Sequence, residues 1–272
     1  MFDFKNKTAA ITGGATGIGF ALAKALGKRG ASIVIGEPRA ERLAEAKAAL
    51  NELRIETSTT LLDVTKPESM EAFADFACET YGGVDLAINN AGISVKRKPI
   101  THASLDDLHA VMGVNFFGVW HGCASFGRRM SAQDTPAAIY NVASENAFFT
   151  AVRNSAGYVA SKHAVMGMTE AFREEMPEHV TVGTIFPGFV HSEMTGDAGA
   201  ALGMNTDEFA EIVVKQIESG ERFIVSHAFN IEHITARYEA LKDAFERSAP
   251  RYDGDDEYDV PTIMRKFAEQ SS

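Results

Sequence analysis

A tyrosine and a lysine four positions apart are the first residues whose spacing suggests chemistry. Tyr158 and Lys162 fall in a segment with a helical pattern, so their side chains share one helix face. Free tyrosine has a pKa near about 10, and a nearby ammonium lowers it by favouring the phenolate. Tyr158 could then accept a proton from a hydroxyl group or return one to a carbonyl oxygen. Most such pairs are surface contacts, so this interpretation needs support from other segments.

Two further polar residues have types suited to assisting that proton transfer. Ser144 follows a predicted strand at residues 138–142, where its hydroxyl can bind a substrate oxygen and stabilise developing charge. Asn115 lies inside a long predicted helix at residues 105–129. Each residue also has a structural interpretation, Ser144 as a turn residue and Asn115 as a helix residue bonded to a neighbour.

A glycine-rich segment at residues 12–19, TGGATGIG, joins a predicted strand to a predicted helix. Glycine allows unusual backbone angles and close approach to a phosphate, and a helix N-terminus offers free N–H groups to an anion. The spacing differs from the common G-x-G-x-x-G pattern, and an ordinary glycine-rich turn is the alternative. The predicted cofactor contacts in this segment are Gly13, Thr16, Gly17, Ile18 and Gly19.

Glu37 indicates which dinucleotide the segment would bind. It lies just past the second predicted strand, residues 32–35, and follows Gly13 by 24 residues. A carboxylate there can accept hydrogen bonds from the adenosine ribose and would repel a 2′-phosphate, which favours NAD over NADP. Two alternatives stay open, because Arg39 could bind a phosphate and Glu37 could be an exposed loop carboxylate.

The elements around these motifs alternate between strand and helix. Predicted strands cover residues 8–12, 32–35, 59–62, 86–88, 138–142, 180–186 and 222–225. Predicted helices cover residues 20–29, 41–53, 68–81, 105–129, 156–176, 206–218 and 231–247. This order predicts an α/β fold with a doubly wound parallel sheet of about seven strands, in one domain over residues 1–272. Residues 190–272 are expected to form a substrate loop, the last strand and an extended tail, with a mobile acidic run at residues 253–259.

Together these motifs resemble the single-domain branch of the short-chain dehydrogenase/reductase family. The matching segments stand in family order over residues 5–195, namely residues 12–19, 63–64, 89–92, 115, 144, 158–162 and 187–188. The resemblance implies a Rossmann-type fold and hydride transfer between NAD(P) and an alcohol or ketone. It also implies catalytic roles for Ser144, Tyr158, Lys162 and Asn115, with Lys162 on the nicotinamide ribose and Asn115 holding a water that links Lys162 to solvent.

The resemblance also implies further cofactor contacts. Asp63 and Val64 would line the adenine pocket, and Asn90, Ala91 and Gly92 would lie under the adenosine side. The expected residues near the nicotinamide are Pro187, Gly188, Val190 and, as a carboxamide partner, Ser192, where the family more often has threonine.

Substrate contacts are expected after Ser144 and after Pro187. The candidate residues are Glu145, Asn146, Phe149, Phe189, His191 and Met194. Their aromatic and methionine side chains suggest an apolar wall for a bulky, uncharged secondary alcohol or ketone, although they could instead belong to the core or a dimer contact. Arg153 is a possible anion contact, and His191 could be a surface residue. Residues 221–250 resemble the tail of bacterial dehydrogenases that oxidise aryl-ether benzylic alcohols.

The amino-acid composition limits the classes of molecule that the chain is expected to bind. Lys and Arg number 26 against 37 Asp and Glu, a net charge of −11, which disfavours nucleic acid and anionic membranes. No segment reaches the roughly 18 apolar residues of a membrane span, and two cysteines suggest a reducing, cytoplasmic location. No metal motif is present among the eight histidines. The resemblance implies that the chain forms a homodimer or homotetramer. Two alternative functions stay open: an NADPH-dependent biosynthetic ketoreductase and a non-catalytic dinucleotide-binding regulator.

Overall fold

Seven parallel strands form one sheet in the computed structural model, which describes residues 2–270. The strands are β1 Thr8–Thr12, β2 Ser32–Glu37, β3 Thr57–Leu61, β4 Leu86–Asn89, β5 Ala137–Val142, β6 Val180–Phe186 and β7 Phe223–Val225. Their order is β3-β2-β1-β4-β5-β6-β7, and every neighbouring pair runs parallel. The predicted α/β class and doubly wound sheet are confirmed.

Residues 2–270 also form ten α-helices. They are α1 Gly17–Gly27, α2 Ala40–Glu52, α3 Pro67–Tyr81, α4 Leu105–Met112, α5 Gly118–Ser131, α6 Ala156–Glu175, α7 Gly196–Leu202, α8 Thr206–Glu218, α9 Asn230–Ser248 and α10 Val260–Gln270. Buried side chains of α1 and α8 belong to one apolar cluster and those of α3, α5 and α6 to a second. The central strands are buried throughout, as expected for a parallel sheet covered on both faces.

The strand order reverses at β1, whose neighbours are β2 on one side and β4 on the other. The crossovers on the two sides leave in opposite directions, so a crevice opens at the carboxyl ends of these strands. The glycine-rich segment follows β1, Glu37 ends β2, Asn90 follows β4 and Ser144 follows β5. The topology therefore brings these residues to one edge of the sheet.

Three local expectations needed correction. The predicted helix at residues 105–129 contains a π-helical turn, Gly113–Phe117, between α4 and α5. Helix α7 was missed because its sequence, GDAGAAL, carries two glycines and no apolar periodicity. No regular turn was predicted for the acidic run, but Asp255–Tyr258 form a 3-10 turn, and the expected mobility of this run stays a prediction. There Arg251 pairs with Asp255, and the Asp259 carboxylate accepts from the Thr262 N–H of α10.

The chain falls into two compact units, divided between Ala228 and Phe229. The second unit contains α9, the 3-10 turn and α10, and none of its helical residues is buried. The organisation as one domain stays a prediction. No helix within residues 2–270 combines the length and apolar character needed to cross a bilayer.

Candidate active site

A cleft of about 1110 Å³ opens at the carboxyl edge of the sheet. All predicted cofactor contacts line it: Gly13, Thr16, Gly17, Ile18, Gly19, Glu37, Asp63, Val64, Asn90, Ala91, Gly92, Tyr158, Lys162, Pro187, Gly188, Val190 and Ser192. Ser144 also lines the cleft, whereas Asn115 lies behind it. The fold thus brings together segments separated by more than a hundred residues in the sequence.

The glycine-rich loop has the backbone shape that a phosphate cradle requires. Gly13 and Gly17 have φ values of +62° and +54°, in the left-handed region that disfavours side chains. A Cβ on Gly19 would lie 2.4 Å from the carbonyl oxygen of Gly13. Helix α1 begins at Gly17, and its N-cap residue Thr16 makes no side-chain capping bond, so the first-turn N–H groups have no cap. These features fit a dinucleotide pyrophosphate.

Asn90 fixes this loop to the end of β4. Its side-chain amide donates to the carbonyl oxygens of Thr12 and Gly13, at 3.0 Å each. The Thr12 hydroxyl in turn accepts from the backbone N–H groups of Asn90 and Ala91 at 3.0 Å. The Asn90 side chain therefore holds the cradle in shape.

Glu37 is the last residue of β2 and only 4% exposed, not an exposed carboxylate beyond the strand as one interpretation held. Its carboxylate accepts from Arg39 Nε at 2.5 Å. Arg39 also donates to Glu193 at 3.0 Å, and these two carboxylates raise the pKa of the Arg39 guanidinium above its ordinary value. Arg39 is thus already paired rather than free to bind a phosphate.

Asp63 and Val64, the residues predicted to line an adenine pocket, lie in the adjoining part of the cleft. The Asp63 carboxylate accepts from the Thr65 hydroxyl at 2.6 Å and from its N–H at 3.0 Å. The hydroxyl bond is the main reason that the pKa of Asp63 lies below its ordinary value. Val64 is buried against α5, where a Cβ on Gly118 would approach its side chain to 2.7 Å.

Tyr158 and Ser144 meet at the opposite end of the cleft. Burial is the main influence on the Tyr158 phenol and raises its pKa above the ordinary value, although the nearby Ser144 hydroxyl acts to lower it. The Glu145 carboxylate raises it further. The sequence-based expectation of a lowered Tyr158 pKa is therefore wrong for this structure. The reason is that the Lys162 ammonium lies 5.7 Å from the ring centroid and donates instead to the Val142 carbonyl oxygen at 2.9 Å.

Lys162 is almost fully enclosed, with 4% of its surface exposed. Burial penalises the ammonium form and lowers the pKa of Lys162 to about 8. A group with a pKa near 8 exchanges protons readily close to neutral pH. Lys162 is therefore suited to passing a proton between Tyr158 and solvent.

Asn115 occupies the π-helical turn and is fully buried. Its amide accepts from the Ile93 N–H at 2.8 Å and donates to the Ile93 carbonyl oxygen at 3.0 Å and to Ser161 at 3.2 Å. It thus ties the loop after β4 to α6, the helix that carries Tyr158 and Lys162. Its predicted role in holding a water stays a prediction.

The loop after β6 carries the expected nicotinamide contacts and a residue that sequence reasoning missed. The N–H of Gly188 donates to His227 Nδ1 at 3.3 Å, and a Cβ on Gly188 would lie 2.5 Å from the His227 ring. Ser192 approaches the glycine loop, since a Cβ on Gly17 would lie 3.2 Å from the Ser192 Cβ. His227 stands in no motif of the sequence that would have predicted this contact.

The predicted substrate residues divide into two groups. Glu145, Asn146, Phe189 and Met194 line the cleft. Phe149 and His191 are not among its lining residues, and His191 is exposed with its N–H bonded to the Met204 carbonyl oxygen at 3.0 Å. The structure thus places His191 in the alternative position, at the surface.

The cleft also contains charged residues that sequence reasoning passed over. Lys96, Arg97 and Glu193 line it, whereas Arg153, the suggested anion contact, does not. A run of basic residues at 96–98, separated by three residues from the Asn89–Gly92 motif, was the available signal.

Comparisons with known proteins agree with this geometry. The family model for short chain dehydrogenase matches residues 7–203. The chain is 32% identical over 229 residues to 1-deoxy-11-beta-hydroxypentalenate dehydrogenase of Streptomyces avermitilis, covering 81% of this chain and 84% of that protein. It is 28% identical to C alpha-dehydrogenase of Sphingobium sp., covering 90% of this chain and 88% of that protein, so this match continues past residue 203.

A solved structure carries the same fold. The short chain dehydrogenase/reductase from Burkholderia phymatum, crystallised in complex with NAD, superimposes with a TM-score of 0.85 at 26% identity. The match covers 90% of this chain and 97% of that one. The chain therefore belongs to the short-chain dehydrogenase family of NAD(P)-dependent oxidoreductases.

Proposed function

We propose that this protein is an NAD-dependent dehydrogenase that interconverts a bulky secondary alcohol and its ketone. One observation carries the proposal, the convergence of Ser144, Tyr158 and Lys162 in the cleft that also contains the glycine-rich loop. A regulator without turnover would have no use for a buried lysine beside a half-buried tyrosine in the same cleft.

The residues divide the chemistry among them. A bound nicotinamide supplies the hydride acceptor or donor, held by the glycine-rich loop and by the loop after β6. Ser144 hydrogen-bonds the substrate oxygen, and Tyr158 takes its proton when an alcohol is oxidised or returns it when a ketone is reduced. Lys162 accepts that proton from Tyr158 and releases it towards solvent. Reduction uses the same steps in reverse.

Glu37 supports NAD rather than NADP as the cofactor. Its buried carboxylate stands at the end of β2, where it can accept bonds from ribose hydroxyls and repel a 2′-phosphate. Arg39, the cation nearest to it in sequence, is already held by Glu37 and Glu193.

Apolar side chains support the substrate class. Ile93, Val95, Val152, Phe189 and Met194 line the cleft together with the catalytic residues. A relative named C alpha-dehydrogenase is consistent with oxidation at a carbon next to a larger group. Lys96 and Arg97 favour a second candidate class, in which the same kind of alcohol carries a carboxylate.

Matched substrates and cofactors test the proposal. Fluorescence titration is expected to give tighter binding of NADH than of NADPH. Turnover is measured on secondary aryl alcohols, each supplied as a methyl ester and as the free acid. Preference for the esters supports an apolar site, and preference for the acids assigns the anion to Lys96 and Arg97. Tighter NADPH binding would overturn the cofactor assignment, and NADH binding without turnover of any alcohol or ketone would favour the regulator.

We also propose that the chain assembles as a homodimer or homotetramer through α5 and α6. The side chains of Phe117 and Trp120, at the start of α5, are about half exposed, at 50% and 53%. Sedimentation velocity of the wild type and of Trp120→Glu tests this. A single monomeric species in the wild type would contradict it.

A further inference from the structure

Glu193 connects two sides of the cofactor cleft. It lies in the loop after β6, yet its carboxylate pairs with Arg39 at 3.0 Å and with Arg42 at 2.7 Å. Both arginines belong to the segment that follows β2, more than 150 residues earlier in the chain. The Thr16 hydroxyl in the glycine-rich loop also lies close enough to Glu193 to help lower the pKa of its carboxyl. One carboxylate thus joins the loop after β6, the end of β2 and the phosphate cradle.

Without its carboxylates, this corner would be basic. Arg39 is shared between Glu37 and Glu193, and Arg42 between Glu45 and Glu193. Paired guanidinium groups at the end of β2 form a good site for a phosphate monoester, because each presents several N–H donors in one plane. Glu193 contacts both arginines, and they hold its pKa below the ordinary value, so it stays ionised at neutral pH.

We propose that Glu193 is a determinant of cofactor specificity: its carboxylate occupies the guanidinium groups of Arg39 and Arg42 that would otherwise bind a 2′-phosphate. The loop after β6, through Glu193, and the end of β2, through Glu37, then both act to exclude NADP. This inference rests on the NAD preference proposed above and adds a residue from a distant part of the chain. Glu193 acts through the two arginines and takes no part in proton transfer.

The two carboxylates exclude NADP by different means. Glu37 is 4% exposed and faces the ribose site directly. Glu193, Arg39 and Arg42 have side chains about 40% exposed, so their ion pairs are weak and open to competition by a ligand. Removing the Glu193 charge releases each arginine from one of its two carboxylate partners while leaving the ribose acceptor in place. The variant should therefore gain affinity for NADPH without losing NADH.

Glu193→Gln tests the proposal, because glutamine keeps the size of the side chain and removes its charge. Fluorescence titration of the variant should show NADPH binding about tenfold tighter than in the wild type. The reason is that the variant lacks the negative charge that competes with the 2′-phosphate for the two guanidinium groups near the surface. NADH binding should change by less than about threefold. Glu45→Gln is the matched control, since Glu45 pairs with Arg42 at 2.8 Å but does not line the cleft. The ratio of the affinity of this control for NADPH to its affinity for NADH should stay at the wild-type value.

A double variant tests the route of the effect. In Glu193→Gln combined with Arg39→Ala, the gain in NADPH affinity should largely disappear. Unchanged NADPH affinity in Glu193→Gln would overturn the inference, and so would an equal change for both nucleotides. Thermal melting of each variant checks that the fold is intact. If the wild type itself binds NADPH more tightly, the proposed NAD preference fails. If the wild type prefers NADH and Glu37→Gln shifts that preference but Glu193→Gln does not, the NAD preference stands and only the proposed role of Glu193 fails.

Discussion

The two ends of the cleft are built on different physical principles. At the end proposed to be catalytic, Lys162 is enclosed and Tyr158 is half-buried, and burial displaces their pKa values, downward for the ammonium and upward for the phenol. At the adenosine end, Arg39 and Glu193 have half-exposed side chains, and direct ion pairs set their protonation. The free-energy cost of removing a charge from water is hard to offset, whereas an exposed ion pair is weak and a ligand can replace one of its partners. Substitutions at the catalytic end should therefore change rates strongly, and those at the adenosine end should change selectivity.

Tyr158→Phe should give the largest effect. The substitution keeps the ring and removes the hydroxyl that we propose exchanges a proton with the substrate. We expect the kcat for alcohol oxidation to fall about a thousandfold, within the range for loss of a general acid–base group. NADH affinity, measured by fluorescence titration, should stay within about threefold of the wild type. A variant that keeps more than a tenth of the wild-type kcat would contradict the assignment.

Lys162→Met should separate activity from stability. Loss of the proton relay and of the ribose contact is expected to lower kcat about a hundredfold. The same substitution removes a buried charge whose pKa falls from its ordinary 10.5 to about 8, a cost of about 3 kcal/mol of folding free energy. Loss of the hydrogen bond to Val142 offsets about 1 kcal/mol of that gain. Thermal unfolding at pH 7 should therefore show a melting temperature about 5 °C higher.

The pH dependence of that stabilisation has a definite sign. Below pH 8, Lys162 is charged in the folded and unfolded states, so the full burial cost is present. Between pH 8 and 10.5 the folded state releases its proton while the unfolded state retains it, and the cost declines as pH rises. The advantage of Lys162→Met should shrink across this window. An advantage that grows with pH would show that the burial of charge is not its cause.

Glu37→Gln should have a smaller effect, on selectivity. Removing this buried carboxylate ends the repulsion of a 2′-phosphate and releases Arg39 from one partner. The ratio of kcat/KM for NADP to that for NAD should rise about ten- to a hundredfold, with kcat for NAD changed by less than about threefold. Steady-state kinetics with both cofactors measures this. A large fall in kcat with NAD would instead place Glu37 in support of the catalytic end.

The sequence identified the parts of this site that depend on local pattern. The glycine-rich loop was recognisable because glycine marks unusual backbone, and Tyr158 and Lys162 because helical periodicity places them on one face. Glu193 could not be found in this way, since its partner Arg39 lies 154 residues away. The direction of the Tyr158 pKa shift was wrong for a related reason, because burial is a property of the assembled fold. Helix α7 was missed because its two glycines lower helix propensity and its sequence has no apolar period.

Ionic strength should give the smallest effect and the sharpest contrast between the ends. Salt screens charges near the surface, with a Debye length that falls from about 10 Å at 0.1 M to about 3 Å at 1 M. At the adenosine end, three carboxylates face two guanidinium groups, so screening weakens the repulsion of a 2′-phosphate. Discrimination against NADPH should therefore fall about threefold between 0.1 M and 1 M NaCl. The midpoint of the kcat–pH profile should move by less than about 0.3 units, because burial rather than surface charge sets it. The opposite result would be a kcat–pH midpoint that moves with salt while discrimination against NADPH stays constant. It would show that surface charge governs the Lys162 end of the cleft and does not govern the Arg39 end.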